Sequence, residues 1–163
     1  MKKIILLLSV AAFVLGGCSS VPQTTEQVAI DKVLKVDSSL SANCSSIAQL
    51  STAAETLNLD ACPKKFQDAY KKNVDAWKDF AAIEKQMYAV NLEKAKSDIK
   101  SFLSSYRSNP TQAIIDLKAS WPQFEKQLDE VFAKIRTSFT TYTNISSNHG
   151  IAYPKTSGMF DWF

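Results

Sequence analysis

Residues 121–142 read WPQFEKQLDEVFAKIRTSFTTY, and this stretch has the clearest hydrophobic period in the chain. Its large apolar side chains recur every three or four residues, which places them on one face of an α-helix for about six turns. They are Trp121, Phe124, Leu128, Val131, Phe132, Ile135, Phe139 and Tyr142. Ser120 and Gln123 match a capping box, and Pro122 suits a first helical turn. The stretch predicts a long amphipathic helix with one buried face.

Two shorter segments near the start of the chain show the same kind of period. The first covers about 26–37, the second covers about 47–57, and a serine-rich interruption separates them. Their apolar positions are Val28, Val33, Val36 and Leu40, followed by Ile47, Leu50, Ala54 and Leu57. This spacing predicts two further helices.

The segment 64–108 contains neither proline nor glycine. One face carries apolar residues from Phe66 to Tyr88, so we expect a continuous or gently kinked helix over the whole segment. A restart near Ser97 and Asp98 is the alternative, because this polar pair could cap a new turn. Asn109 and Pro110 then supply a cap and a first-turn proline for a short helix that leads to the stretch at 121.

Glycine is nearly absent from the body of the chain. The sequence has four glycines, and none lies between residues 18 and 149. A sheet protein of this size would need several turns that tolerate positive φ, and their usual residue is missing. We therefore predict an all-α domain over residues 26–142, built as an antiparallel bundle of three to four helices.

The last segment, 143–163, has a different composition. It contains Gly150, Pro154 and Gly158 among small polar residues, so we expect an irregular tail. Its large aromatic side chains are Tyr153, Phe160, Trp162 and Phe163. Because leaving so many apolar groups in water is costly, we expect the tail to pack on the bundle.

The first residues have the pattern of a secretion signal. Lys2 and Lys3 precede an apolar run from Ile4 to Leu15 that is too short to span a bilayer comfortably. The run ends in Leu15-Gly16-Gly17-Cys18. This ending resembles the lipobox of bacterial lipoproteins. The resemblance implies that residues 1–17 are removed and that Cys18 becomes the acylated first residue of a membrane-tethered chain.

The resemblance also implies a location. Residues 18–25 then form the lipidated N-terminus and a spacer. In proteobacterial lipoproteins an aspartate directly after the acylated cysteine tends to retain the protein at the inner membrane. Ser19 occupies that position here, which favours the outer membrane, with the domain facing the periplasm. The ordinary alternative is a secreted protein in which Cys18 stays a free thiol.

Lipidation of Cys18 would leave an even number of cysteines. Cys44 and Cys62 remain, and in an oxidising envelope compartment we expect them to form a structural disulfide that closes a loop of about 19 residues. The chain-entropy estimate for such a loop is about 3 kcal/mol. A redox-active pair is the alternative, but the two cysteines lack the usual spacing of two residues.

Charge argues against nucleic acid as a partner. The chain has 19 basic and 16 acidic residues, and two of the basic ones lie in the leader. The remaining 146 residues carry 17 basic and 16 acidic side chains, a net charge of +1. A nearly neutral domain lacks the basic surface that nucleic-acid binding requires.

The search for a catalytic or cofactor site gives no strong candidate. His149 is the only histidine, and it lies in the polar segment Ser-Ser-Asn-His-Gly. We find neither a metal-ligand spacing nor a phosphate loop, so we expect no enzyme activity, metal or cofactor. We predict a lipid-anchored envelope protein with a binding or scaffolding role, whose partner is the membrane and another envelope component.

A carrier of a small hydrophobic ligand or haem is the main alternative. Met87 and His149 could supply haem ligands, and aromatic side chains could enclose an apolar ligand between helices. The aromatic candidates are Trp77, Phe80, Tyr88, Phe124, Phe132, Phe139 and Tyr142. A hydrolase that uses His149 is a third possibility.

Overall fold

The structure is a computed structural model that describes residues 22–106 and 108–154. The predictions for the leader, Cys18 and residues 155–163 lie outside these residues. The six α-helices of the described part are α1 (Thr25–Leu40), α2 (Ile47–Glu55), α3 (Lys64–Val90), α4 (Leu92–Tyr106), α5 (Pro110–Ser120) and α6 (Glu125–Asn148). The described residues contain no strand, so the predicted all-α bundle is confirmed, with more helices than the three to four expected.

The central element is the antiparallel pair of α3 and α6. The ring of Phe66 near the start of α3 lies 6.0 Å from that of Tyr142 near the end of α6. Further along, Phe80 lies 5.1 Å from Phe132. Because these contacts run in opposite directions along the two helices, α3 and α6 share one apolar interface over several turns. Helices α2 and α4 pack against α3, and α5 packs against α4.

The core has two parts. One part lies at the end of the bundle where α1 and the C-terminal segment meet α3 and α6, and it includes Ile30, Phe66 and Tyr142. The larger part joins α2, α4 and α5 to the other end of α3 and α6. Between them, the buried Asn73 side chain donates to the Ile135 carbonyl at 3.2 Å and to Ser138 Oγ at 3.0 Å. The two parts therefore meet at a satisfied polar contact.

The expected continuous helix over 64–108 is wrong, because the chain breaks at Asn91. This residue has extended backbone angles, φ −157° and ψ 100°, and its Oδ1 accepts the Lys94 N–H at 3.0 Å. The break lets α4 fold back along α3, where the Phe102 ring lies 5.4 Å from Phe80. A straight helix would leave the apolar face of α4 in water. The alternative restart at Ser97 and Asp98 is not seen either, since both lie inside α4.

The predicted capping box at Ser120 is also wrong. Ser120 is the last residue of α5, and Trp121 follows it with φ −133° and ψ 60°. A 3₁₀ turn over Pro122–Phe124 then leads into α6 at Glu125. The Trp121 side chain is buried at this corner, and its indole N–H donates to Asp98 Oδ2 at 2.9 Å. In contrast, Asn109 caps α5 as predicted, because its Oδ1 accepts the Gln112 N–H.

Helix α6 extends past Tyr142 to Asn148, so the irregular segment begins later than predicted. Residues 143–148 stay helical because Ile145 packs against the core and Ser146 is fully buried, its Oγ donating to the Tyr142 carbonyl. Gly150 ends the helix with φ +75°. The Gly150 N–H donates to the Ser147 carbonyl, and the Ile151 N–H donates to the Ser146 carbonyl. These two hydrogen bonds form a Schellman motif.

The apolar stripe of α6 provides a test of the fold. Leu128 is 0% exposed and Phe132 is 4% exposed, whereas Lys126 is exposed. We expect Leu128→Ala and Phe132→Ala each to lower the free energy of unfolding by about 2–5 kcal/mol through lost burial and a residual cavity. Lys126→Ala should change it by less than about 0.5 kcal/mol. Urea denaturation measures all three, and equal small effects would contradict the packing.

Candidate functional site

Cys44 and Cys62 are free thiols in the structure, so the predicted disulfide is not seen. Cys44 packs against the larger part of the core and Cys62 against the part that contains α1. Helix α2 lies between them in the chain. Burial raises the pKa of both thiols, which disfavours the reactive thiolate.

The structure does not bring the suggested haem ligands together. Met87 is fully buried near the end of α3, in the larger part of the core. His149 follows α6, at the other end of the antiparallel pair, where its carbonyl accepts a hydrogen bond from the Gln27 side chain. About 30 Å of α3 separates Met87 from the end at which α6 finishes. No single haem could reach both side chains.

The aromatic side chains that we considered for a ligand cavity pack on one another instead. Phe80 contacts Phe102 and Phe132, and Phe139 contacts Tyr142 and Tyr153. Tyr88 donates to Glu84 at 2.7 Å. These rings therefore fill the core.

Asp37 is the centre of a cluster that the sequence analysis missed. Its Oδ1 accepts the phenol of Tyr70 at 2.6 Å. Its Oδ2 accepts Tyr142 at 3.0 Å and Tyr153 at 2.8 Å. One carboxylate on α1 thus joins α3, α6 and the C-terminal segment. Tyr153 in the C-terminal segment is buried, whereas Phe160, Trp162 and Phe163 lie outside the described residues.

The electrostatics of this cluster have a clear cause. Asp37 as a whole is half-buried, but protein surrounds its carboxyl group. This burial raises the pKa of Asp37, although hydrogen bonds from the three phenols act in the opposite direction. Burial and then the Asp37 charge raise the pKa of Tyr70, Tyr142 and Tyr153. The three phenols therefore stay protonated and remain donors.

A small cavity of about 40 Å³ adjoins the cluster. Its lining includes the polar residues Asp37, Ser38, Ser41 and Asn73 and apolar residues such as Leu50, Trp77 and Ile135. Such a volume suits a water molecule rather than an organic substrate. The cluster is best understood as a joint between elements, because it offers no space for a reaction.

Glu84 is a second buried carboxylate and is 1% exposed. Its Oε1 accepts the Ile47 N–H and its Oε2 the Ala48 N–H, both at 3.0 Å. These are unpaired donors in the first turn of α2, where a negative charge is favourable. Glu84 therefore fixes α2 on α3, and both of its oxygens are used in that role.

A concave surface lies between α3 and α6, and we call it the α3–α6 groove. Its volume is about 800 Å³. Small side chains form its floor, including Ala69, Ala76 and Ser138. Its rim consists of Lys65, Asp68, Lys72, Asp75, Asp79, Lys134, Thr137, Thr141 and Ile145. The groove is an open surface about 21 Å long, as the rise of α3 from Lys65 to Asp79 shows.

No group of three or more His, Cys, Asp or Glu side chains in the described ranges could hold a metal ion. No helix there is both long enough and apolar enough to cross a membrane. In comparisons with known proteins, the chain matches no family model, no curated protein and no solved structure.

Asp37 allows a test by pH. Its pKa is raised in the folded state, so the folded chain binds more protons than the unfolded chain between the two pKa values. Protonated Asp37 therefore stabilises the folded state at low pH, and this stabilisation is lost as the pH rises through the pKa of Asp37 in the folded chain. We therefore expect wild-type protein to gain stability relative to Asp37→Asn when the pH is lowered from neutral towards 4, as measured by thermal melting.

Asp60→Asn is the control for this experiment, because it removes an exposed carboxylate of the same charge. A difference between wild-type and Asp37→Asn that is the same at both pH values would contradict the burial of the Asp37 carboxyl group.

Proposed function

We propose that this chain is a lipid-anchored protein of the bacterial cell envelope with a non-enzymatic binding or scaffolding role. The leader pattern and Cys18 support the anchor. The observation that supports the role is the small number of residues between Cys18 and the first helix. Thr24 caps α1 in a capping box with Gln27, so six residues join Cys18 to the first helix.

This link keeps the bundle close to the membrane. Fully extended, six residues reach about 20 Å, which is less than the length of α3. Two or three acyl chains on Cys18 would make the tether effectively permanent. Ser19 supports an outer-membrane location with the bundle in the periplasm. A rigid body in this position can hold another envelope component at a set height.

We assign partner binding to the α3–α6 groove, with an amphipathic helix of another envelope protein as its occupant. The small floor residues allow close approach of a third helix, and about 21 Å accommodates about four turns. The rim carries both lysines and aspartates, so it suits a partner helix that has acidic and basic side chains on either side of its apolar face. Some rim charges are already paired, as Lys134 is with Asp79 at 2.6 Å.

Changing Cys18→Ala tests the anchor. We expect the wild-type chain to partition with membranes and to carry acyl mass on Cys18, because thioether-linked and amide-linked chains bury many methylenes in the bilayer. The variant should be released or keep its leader uncut. Membrane fractionation and intact mass spectrometry measure both, and normal membrane retention of a variant that has lost its leader would contradict the lipoprotein assignment.

A photo-crosslinking residue at Thr137 tests the groove. Thr137 lies on the rim and is exposed, so a bound helix should be captured there in living cells. Ser101, exposed on α4, is the control position. We expect one protein adduct at Thr137 that maps to an amphipathic helical peptide and is absent at Ser101. The same adducts at both positions, or adducts to extended peptide only, would contradict the assignment.

A further inference from the structure

One face of α1 carries apolar side chains that the bundle does not cover. Val28 is 52% exposed and Val36 is 40% exposed, although both lie in a well-formed helix. Together with Lys32 and the half-buried Ala29 they form what we call the α1 outer face. The inward side of the helix carries Ile30, Val33, Leu34 and Asp37 instead.

The α1 outer face continues into an apolar groove of about 330 Å³. Across this groove lies the connection between α2 and α3, which contributes Leu57, Asn58, Asp60 and Ala61. The apolar surface is thus shared by two segments of the chain, and it extends beyond the two exposed valines.

The charged side chains on and around this face are of both signs. Lys32 projects from the α1 outer face, and no ion pair of the described residues involves it. Lys35 lies at the edge of the face and pairs with Asp31 at 2.6 Å. Asp60, across the groove, is the acidic residue that lines it. Lys32 lies between Val28 and Val36 on this face, and a lysine can cover apolar surface with its stem while its ammonium group reaches the headgroup region of a bilayer.

The position of the face in the chain indicates its occupant. Val28 follows the N-cap Thr24 by four residues, and Thr24 follows Cys18 by six. If Cys18 carries acyl chains, the extended link places the start of α1 within about 20 Å of the bilayer surface. Of the exposed large hydrophobic residues in the described part, Val28 lies closest to Cys18 in the chain.

We propose that the α1 outer face rests on the phospholipid bilayer in which Cys18 is anchored, with Val28 and Val36 among the headgroups and Lys32 facing anionic lipid. This inference rests on the proposed function, because it needs the anchor. The face alone is too small for stable membrane binding. The tether makes the contact intramolecular, so a weak interaction is sufficient to orient the bundle.

The experiment uses the full acylated chain in vesicles of phosphatidylethanolamine and phosphatidylglycerol. The photoreactive residue p-benzoylphenylalanine replaces Val28 or Val36 in separate variants. Ile115 on α5 is the matched control, because it is also a large apolar residue and is also 52% exposed. After irradiation, mass spectrometry measures phospholipid adducts at each position and acyl mass on Cys18.

We expect several-fold more phospholipid adduct at positions 28 and 36 than at 115, with Cys18 acylated in every variant. Lys32→Glu, combined with the probe at 28, should reduce the adduct because it repels phosphatidylglycerol. Circular dichroism and melting of each variant check that the bundle is intact.

Two results would overturn the inference while the anchor stands. These are equal lipid adducts at 28, 36 and 115 on acylated chains, or adducts at 28 and 36 to a second copy of the chain instead of lipid. Absence of acyl mass on Cys18 would overturn both the inference and the proposed function, and the mass of the Cys18 peptide distinguishes this case from the others.

Discussion

The antiparallel packing of α3 against α6 is the contact on which the rest of the molecule depends. Its aromatic rings, from Phe66 with Tyr142 to Phe80 with Phe132, fill the centre of the bundle. Helices α2 and α4 are then placed by the remaining faces of α3. Each of these shorter helices has one apolar face, and few would be stable alone, because isolated helices of this length are marginal in water. The long pair therefore acts as the template for the others.

Two buried carboxylates connect the outer elements to this pair by hydrogen bonds. Glu84 on α3 accepts the first N–H groups of α2, and Asp37 on α1 accepts phenols from α3, α6 and the C-terminal segment. Apolar contacts tolerate small shifts, whereas these bonds depend on distance and direction. Removing one partner would leave a charge or a donor buried without compensation, which is costly. The two acids thus determine where α1 and α2 lie on the bundle.

The sequence predicted what depends on local patterns and missed what depends on packing. The period of residues 121–142 identified the buried face of α6, and Asn109 was identified as a cap. The break at Asn91 was missed because good helix formers surround it, and the gain comes from folding α4 onto α3. The Cys44–Cys62 pairing was argued from compartment and from the even number of cysteines, and neither argument places the two thiols next to each other in the fold. Asp37 and Glu84 did leave a signal in the sequence, because each is an acid three or four residues from apolar neighbours on a helix. For Asp37 these neighbours are Val33, Leu34 and Leu40, and for Glu84 they are Phe80, Met87 and Tyr88. The α3–α6 groove left none, because it exists only once the two helices are placed.

The Asp37 cluster has a mechanical consequence. Tension on the chain ahead of Thr24 enters the bundle through α1. This helix starts at the end of the bundle where α3 begins and α6 finishes. There the Gln27 side chain donates to the His149 carbonyl at 2.8 Å. A pull along α1 loads this bond and the three phenol bonds of Asp37 together, in shear. Bonds loaded in this way share the force, whereas bonds at a peeled edge break one after another. A domain attached by its first helix thus transmits force to its centre and to its C-terminal segment at the same time.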